Sequence, residues 1–312
     1  MATGVTVSSN YNGKAAGEII GASFREADTL ARNLITVLPN VNTKISLRRI
    51  RYTDGTVGYS CGFTPAGAIV LNERLIEPVK LMNNLEVCKE NFRNTWSEDA
   101  FGASAWNNNF AADIQSAILA EVLAETAKNV DSMIWTGDSI NVGEWDGFIK
   151  LFNADAAVVK SNSGIVPTGA PITKSNIEAE LDKVTAAIPY ALRRKDVKIL
   201  VSPDVADHYT KSLIEKGSAN GLGGNANTAL NYGRYSIEPV NGLPDNTIIA
   251  YEQKNLVFAT GLLADFNEIR VIDMDEVLLD GNVRMKMVYS GGVNYYNSED
   301  IVYYNSTVTP TP

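Results

Sequence analysis

Ala111-Ala-Asp-Ile-Gln-Ser-Ala-Ile-Leu-Ala-Glu-Val-Leu-Ala-Glu-Thr-Ala-Lys-Asn-Val-Asp-Ser-Met-Ile134 carries the longest helical signal in the chain. Ile114, Ile118, Val122, Val130 and Ile134 hold one i,i+4 stripe, Thr126 interrupts it, and Leu119, Leu123 and Ala127 widen the face. At ~1.5 Å per residue such a helix is roughly 36 Å long, more a structural beam than an element of a compact domain. Trp135-Thr-Gly-Asp138 ends it, with glycine supplying the stop.

Upstream, residues 1–22 are small and polar without a sustained period and read as a flexible arm. Ser23 as N-cap with Glu26 three residues on opens a helix whose Ala27, Leu30, Leu34 and Leu38 run to Pro39. In Lys44–Leu71, Ile45, Leu47, Arg49 and Arg51 alternate with Ser46, Arg48, Ile50 and Tyr52, so both faces are of mixed character. Asp54-Gly55 predicts a tight hairpin turn with residues at φ > 0, followed by a second strand through Thr56–Tyr59, and Ala68–Leu71 resumes the apolar character. A ribbon with no clean inside needs a partner surface elsewhere. Residues 76–96 are strand-like after Pro78.

Downstream, a loop-rich stretch at 152–173 precedes helices at Ser175–Ile188 and Pro203–Glu215 and a buried strand at Val197–Val201. Lys216–Arg234 reads as a Gly/Asn/Ala-rich loop. Thr247–Tyr251, Leu256–Leu263, Ile269–Ile272, Val283–Tyr289 and Ile301–Tyr304 are short apolar or strand segments, with a turn at Asp280-Gly281-Asn282.

Composition excludes several functions. The 312 residues carry 27 basic and 36 acidic side chains, net −9, which is not the footprint of a non-specific nucleic-acid binder. A single histidine, His208, cannot build a two-His zinc site, and with no Gly-x-Ser-x-Gly elbow it reads as a helix-surface residue. Cys61 and Cys88 are too few for a disulfide scaffold and are expected to be reduced thiols. No stretch approaches the ~20 apolar residues of a membrane helix. The start lacks the basic and apolar regions of a secretory signal, so no signal peptide and a cytoplasmic setting are expected, and the Asn305-Ser-Thr307 sequon carries no weight.

The remaining motifs are weak as chemistry. Gly221-Leu-Gly-Gly224 lacks the Lys-Ser or Lys-Thr of a phosphate loop and reads as a mobile loop. Asp273, Asp275, Glu276 and Asp280 fail the calcium-loop spacing at Val277, which favours a solvated strand face. Arg48, Arg49 and Arg51 form a compact basic run, read either as an edge strand kept soluble by charge or as a contact set for acidic groups on a neighbouring chain. No catalytic constellation, metal site or cofactor site emerges. The features that stand out are mechanical: an arm, a ribbon, a beam and a central loop.

Three segments carry a resemblance: Glu73-Arg-Leu-Ile-Glu-Pro-Val-Lys-Leu-Met-Asn-Asn-Leu-Glu-Val-Cys88 continuing to Trp96; Val130-Asp-Ser-Met-Ile-Trp-Thr-Gly-Asp138 with Trp145-Asp-Gly-Phe-Ile-Lys-Leu151; and Gly261–Met274 with Val283-Arg-Met-Lys-Met287 and Glu299-Asp-Ile-Val-Tyr-Tyr304. In order and spacing they resemble the tailed-bacteriophage major capsid proteins of the Hong Kong 97-like (HK97-like) fold. The resemblance covers most of the chain from about residue 40 to 305 and implies an α+β fold. Its parts would be an N-terminal arm with a short helix (1–40), an extended E-loop hairpin (41–75), a peripheral domain with the spine helix 111–134 (76–169), an axial domain (170–260), closing strands (261–305) and a loose tail (306–312).

The function implied is that of a non-enzymatic capsid protein, self-assembled as hexamers and pentamers into an icosahedral virion shell around double-stranded DNA in the host bacterial cytoplasm. Its partners would be other copies of itself, a portal, separate scaffolding and cement proteins, and packaged DNA held without sequence-specific contact; no membrane is expected. Inter-subunit contact is then expected at Arg48, Arg49, Arg51, Asp54, Gly55 and Tyr59, an axial loop at Gly221, Gly223 and Gly224, and a spine core at Ile114, Ile118, Val122, Val130 and Ile134.

Some relatives cross-link an E-loop lysine to an asparagine, but this chain has no lysine between Lys44 and Lys80, so no such bond is expected. With about forty residues before the E-loop, a separate scaffolding protein, or none, is expected. The competing readings are an encapsulin-type shell enclosing enzymes, a small-molecule enzyme in the 170–260 region, and a monomeric binding module.

Overall fold

A fourteen-residue strand, Asn282–Tyr295, organises the first of two large sheets. The structure, a computed structural model, describes residues 9–12, 27–41, 43–59, 61–62, 65–88, 112–160, 171–217, 230–261, 268–274 and 282–305, with the backbone alone at 9–12, 112–119, 268 and 273. In chain order the elements are β1 (Ser9–Asn12), α1 (Asp28–Ala31), β2 (Thr36–Leu38), β3 (Ile45–Thr53), β4 (Ala68–Ile76), β5 (Val79–Cys88) and α2 (Ala112–Thr136). They continue with α3 (Phe148–Ala154), β6 (Val159–Lys160), α4 (Ile177–Ala187), β7 (Val197–Val201), α5 (Pro203–Glu215), β8 (Leu230–Tyr232), β9 (Tyr235–Pro239) and β10 (Thr247–Glu252). β11 (Leu256–Thr260), β12 (Glu268–Asp273), β13 (Asn282–Tyr295) and β14 (Ile301–Asn305) complete the series.

β13 pairs antiparallel with β5 along Asn282–Gly291, with β12 over Val283–Val288 and with β11 over Gly291–Tyr295. Its first half has a period of two, Val283, Met285 and Met287 buried and Arg284 and Lys286 exposed, as a strand with one wet face requires. Beyond Val288 both faces are covered. The cover explains Gly291: a Cβ there would lie 2.8 Å from the Trp145 ring, so the strand passes only if no side chain is present.

The beam helix packs on this sheet through Val130, Met133, Ile134 and Trp135, and Trp135 meets Phe148 of α3 with ring centroids 5.4 Å apart. Thr126, which interrupts the apolar stripe, is buried. Its hydroxyl donates to Val122 O (2.7 Å) and accepts from Asn83 Nδ2 of β5 (3.0 Å), so the interruption is a polar tie between beam and sheet.

The second sheet runs β6-β14-β10-β7-β9-β8. Its inner strands are buried on both faces, and alternate residues go to different cores. Ile248 and Ala250 of β10, Ile199 and Val201 of β7, and Val302 and Tyr304 of β14 face α4 and α5. Ile249 and Tyr251, Leu200, and Ile301 and Tyr303 join the core beneath the beam. A strand buried on both faces reads as a nearly continuous apolar run, as Ile199-Leu-Val201 does after the half-buried Lys198.

Three expectations need correction. The helix expected from Ala27 to Leu38 is one turn, α1, followed by β2: Asn33 takes φ 51° and breaks it, and β2 pairs parallel with β11 through Thr36↔Val257. Ser23 and Glu26 lie outside the described residues. Thr56–Tyr59 is not a strand; β3 pairs instead with β4, Ile45↔Ile76 through Thr53↔Ala68. Gly233-Arg234 joins β8 to β9, so the expected loop through Arg234 ends earlier than supposed.

Candidate assembly surface

The β3–β4 hairpin is anchored at its root and bare beyond it. Leu47 and Ile76 are buried with Val41, Val257 and Ala259, which seats the root against β2 and β11. Arg74 pairs with Asp155 and lies 4.2 Å from the centroid of the Tyr295 ring, while the Tyr295 hydroxyl donates to Asp155 Oδ2 at 2.8 Å. Burial pushes the Asp155 carboxyl up, but hydrogen bonds from Ala157 N–H, Arg74 and Tyr295 outweigh it and hold the carboxyl below its usual value. Asn294 Nδ2 donates to Leu75 O at 2.8 Å.

Beyond the root, the register separates the two faces. Strand alternation puts Leu47, Arg49 and Arg51 on one face with Arg74, Asn72 and Val70 opposite them. Arg49 is hydrogen-bonded to Asn297, and Arg51 Nη1 lies 2.8 Å from Glu299 Oε1, so two of the three arginines hold the hairpin to its own body. The other face carries Arg48↔Glu73, Ile50↔Leu71 and Tyr52↔Ile69. Arg48 and Glu73 are in no ion pair among the described residues. Ile50, Leu71 and Ile69 are each 70% exposed and Tyr52 63%, two adjacent apolar cross-strand pairs in water. Contiguous exposed apolar patches mark interaction sites.

Asp54-Gly55 is not a φ > 0 turn. Asp54 Oδ1 accepts from Thr56 N (2.9 Å) and Thr56 Oγ1 (2.6 Å), which lowers its pKa and leads the chain into an open connection. Gly55 is required by close approach instead, since a Cβ there would lie 2.4 Å from Gly67 N. Tyr59, on this connection, is 97% exposed.

A second exposed apolar pair, Ile140 and Val142, stands on the loop after the beam. Lys150 Nζ holds that loop through Asp138 Oδ1 (2.7 Å) and Asp146 Oδ1 (2.5 Å), and its hydrogen bond keeps Asp138 below the usual carboxylate range.

The other expected residues fall as follows. Val130 and Ile134 are fully buried and Val122 is half-buried against the same core, while the side chains of Ile114 and Ile118 and all of Gly221, Gly223 and Gly224 lie outside the described residues. So do Asp275, Glu276 and Asp280. His208 is a half-buried residue of α5. Among the described residues no group of three His, Cys, Asp or Glu side chains is placed to hold a metal ion, and no helix is long and apolar enough to cross a membrane.

A cleft of about 620 Å³ opens between the beam, Asp28 and the 241–244 segment. Its buried carboxylate, Asp131, accepts from Thr29 N at 3.0 Å, from the Thr29 hydroxyl and from Gly242 N, so its oxygens tie α1 and the 241–244 segment to the beam. The residues missed in the sequence are Ile50, Tyr52, Ile69 and Leu71, whose shared face shows only once β4 is the partner strand.

Solved structures share this architecture. The capsid of a native GTA particle matches with a TM-score of 0.59 at 14% identity, over 89% of each chain. A chain of the satellite phage P4 procapsid matches with a TM-score of 0.57 at 12% identity, over 93% of this chain and 98% of that one. The chain has the HK97-like capsid fold. A virus-like particle from Pyrococcus furiosus also resembles this HK97-like chain, with a TM-score of 0.51 at 11% identity over 94% of this chain and 99% of that one. No family model matches the sequence, and no curated protein does.

Proposed function

We propose that the chain is a major capsid protein that assembles with copies of itself into a closed icosahedral shell around double-stranded DNA. The observation that carries this is the bare apolar face Ile50/Leu71 and Tyr52/Ile69 on a hairpin whose root is fixed by buried residues. Burying each of these side chains is worth ~1.5–3 kcal/mol, and none of the described residues covers them. The HK97-like fold supports the reading, since the solved chains that share it come from capsids and a procapsid.

In this reading β3–β4 is the E-loop, laid over a neighbour. The first sheet and α2 form the peripheral domain, and the second sheet with α4 and α5 the axial domain. Hexamers and pentamers are the building units, formed in the host bacterial cytoplasm, with a portal and separate scaffolding or cement proteins as partners. The protein is structural and not an enzyme.

The likeness to the Pyrococcus furiosus virus-like particle supports a second reading, an encapsulin-type shell around protein cargo. Negative-stain microscopy of the purified chain tests the shell itself: uniform hollow particles or capsomer rings are expected, and a persistent monomer by light scattering contradicts it. The contents of the particles, DNA or protein, separate the two readings.

A further inference from the structure

Tyr190-Ala-Leu-Arg-Arg-Lys-Asp-Val-Lys198 holds a basic run denser than Arg48–Arg51. The fold adds to it. β7 and β9 run parallel with Lys198↔Ser236, so Arg193, Arg194 and Lys195, just before β7, share one end of the second sheet with Arg234, just before β9. Arg234 Nη1 donates to Arg193 O at 3.1 Å.

The pairing of these arginines differs from that of most others, Arg48 and Arg49 on the hairpin being likewise without a carboxylate partner among the described residues. Arg32, Arg51, Arg74 and Arg284 each face a carboxylate. Arg193 instead donates to the carbonyls of Ala186 and Ile188 at the end of α4, both at 3.2 Å. Arg194 lies 5.7 Å from the centroid of the Tyr190 ring and Arg234 5.4 Å from that of Tyr235. None of the three is in an ion pair among the described residues, so their charge is not cancelled locally. Lys195 is answered by Glu252 at 2.5 Å, and Lys198 and Asp196 offset one another in sign. The result is a surface with three uncompensated guanidiniums in a chain of net charge −9, beside a tyrosine that is 73% exposed.

We infer that this surface, built from Arg193, Arg194 and Arg234 around Tyr190, binds the phosphate backbone of nucleic acid. Guanidinium forks match phosphate oxygens, and a ring next to them suits a base or sugar better than it suits a carboxylate side chain. Contact here is through charge and shape and reads no sequence. The inference deepens the shell reading by giving enclosed DNA a place to touch. It rests on that reading only for the choice of duplex as ligand.

The test is titration of a fluorescein-labelled 30-base-pair duplex of mixed sequence with the unassembled full-length chain, from 50 to 200 mM salt. Three phosphate contacts predict a slope of log K against log salt of about −2.7. Arg194 and Arg234 are exposed, so the R194Q/R234Q pair leaves the fold in place. It should lower affinity about tenfold at 50 mM salt and bring the slope to about −0.9. The equally charged control R51Q/R284Q should bind within twofold of wild type. Absence of duplex binding at 50 mM salt, equal binding by R194Q/R234Q, or equally tight binding of an oligoglutamate of the same charge overturns the inference. Microscopy of particles is unaffected by any of these outcomes.

Discussion

Ile50 of β3 stands directly across the ladder from Leu71 of β4, and each leaves 70% of its surface in water. Three residues away on the same strand, Leu47 is 4% exposed in the cluster that roots the hairpin. One strand therefore serves the fold at one end and faces outward at the other.

This contrast separates stability from assembly. I50D/L71D should cost the free chain about 1 kcal/mol, from exposed substitution and the two carboxylates facing each other across the ladder, while abolishing particles in light scattering. Leu47→Ala should cost about 2–5 kcal/mol in denaturant unfolding, because it empties a packed site. Loss of stability in I50D/L71D equal to that in Leu47→Ala would place Ile50 and Leu71 in the fold, not at an interface.

Arg74 ties β4 to Asp155 and Tyr295, and replacing it with Met leaves the carboxylate one donor short. A loss of about 1–3 kcal/mol is expected near neutral pH. The Asp155 carboxyl titrates below its ordinary 3.8 in the folded chain, so the stability it contributes is present above that value and is lost as pH falls below it. The gap between wild type and Arg74→Met in thermal melts should therefore close in acid below about pH 3.8. A gap that stays constant into that range would show that the carboxylate does not hold the hairpin root.

Asp131 has the opposite sign. Burial raises its carboxyl above the ordinary value of 3.8, with hydrogen bonds from the Thr29 hydroxyl and the Thr29 and Gly242 N–H groups only partly offsetting it. The folded chain binds this proton more tightly than the unfolded chain. The contribution is thus fully present below the ordinary value and falls as pH rises through the raised one. Wild type should lose melting temperature across that rise, whereas Asp131→Ala should be flat there. Asp131→Ala should also be about 1–3 kcal/mol less stable in acid, where it deprives the buried Thr29 N–H and hydroxyl and the Gly242 N–H of that acceptor. Parallel pH profiles for the two proteins would contradict this.

Much of the frame was legible in the sequence, for reasons visible in the fold. Pro203 at the first turn of α5 and the largely apolar stretch Val197–Val201, with Lys198 its one charge, marked the limits of these elements, because neither needs distant information. The beam's periodicity was equally local. The hairpin's pairing was not legible, because Asp54 directs its carboxylate to Thr56 and the partner strand begins at Ala68. With Thr56–Tyr59 taken as the partner, Ile69 and Leu71 had no place opposite Tyr52 and Ile50, so the apolar face stayed hidden. The extension of β13 past Gly291 was hidden too. Glycine there reads as a break, whereas the Trp145 ring is what demands it. Arg49 and Arg51 looked free for a neighbour, yet Asn297 and Glu299, some 250 positions away, hold them.

The central claim, that the Ile50–Leu71 face is covered by another copy in a shell, is tested most directly by thiol labelling at that face. Ile50→Cys is introduced with Cys61 and Cys88 replaced by serine, and labelling rates are compared in purified particles and in the dissociated chain. Rapid labelling of the free chain and at least tenfold slower labelling in particles is the expected result. Equal rates in both would contradict it.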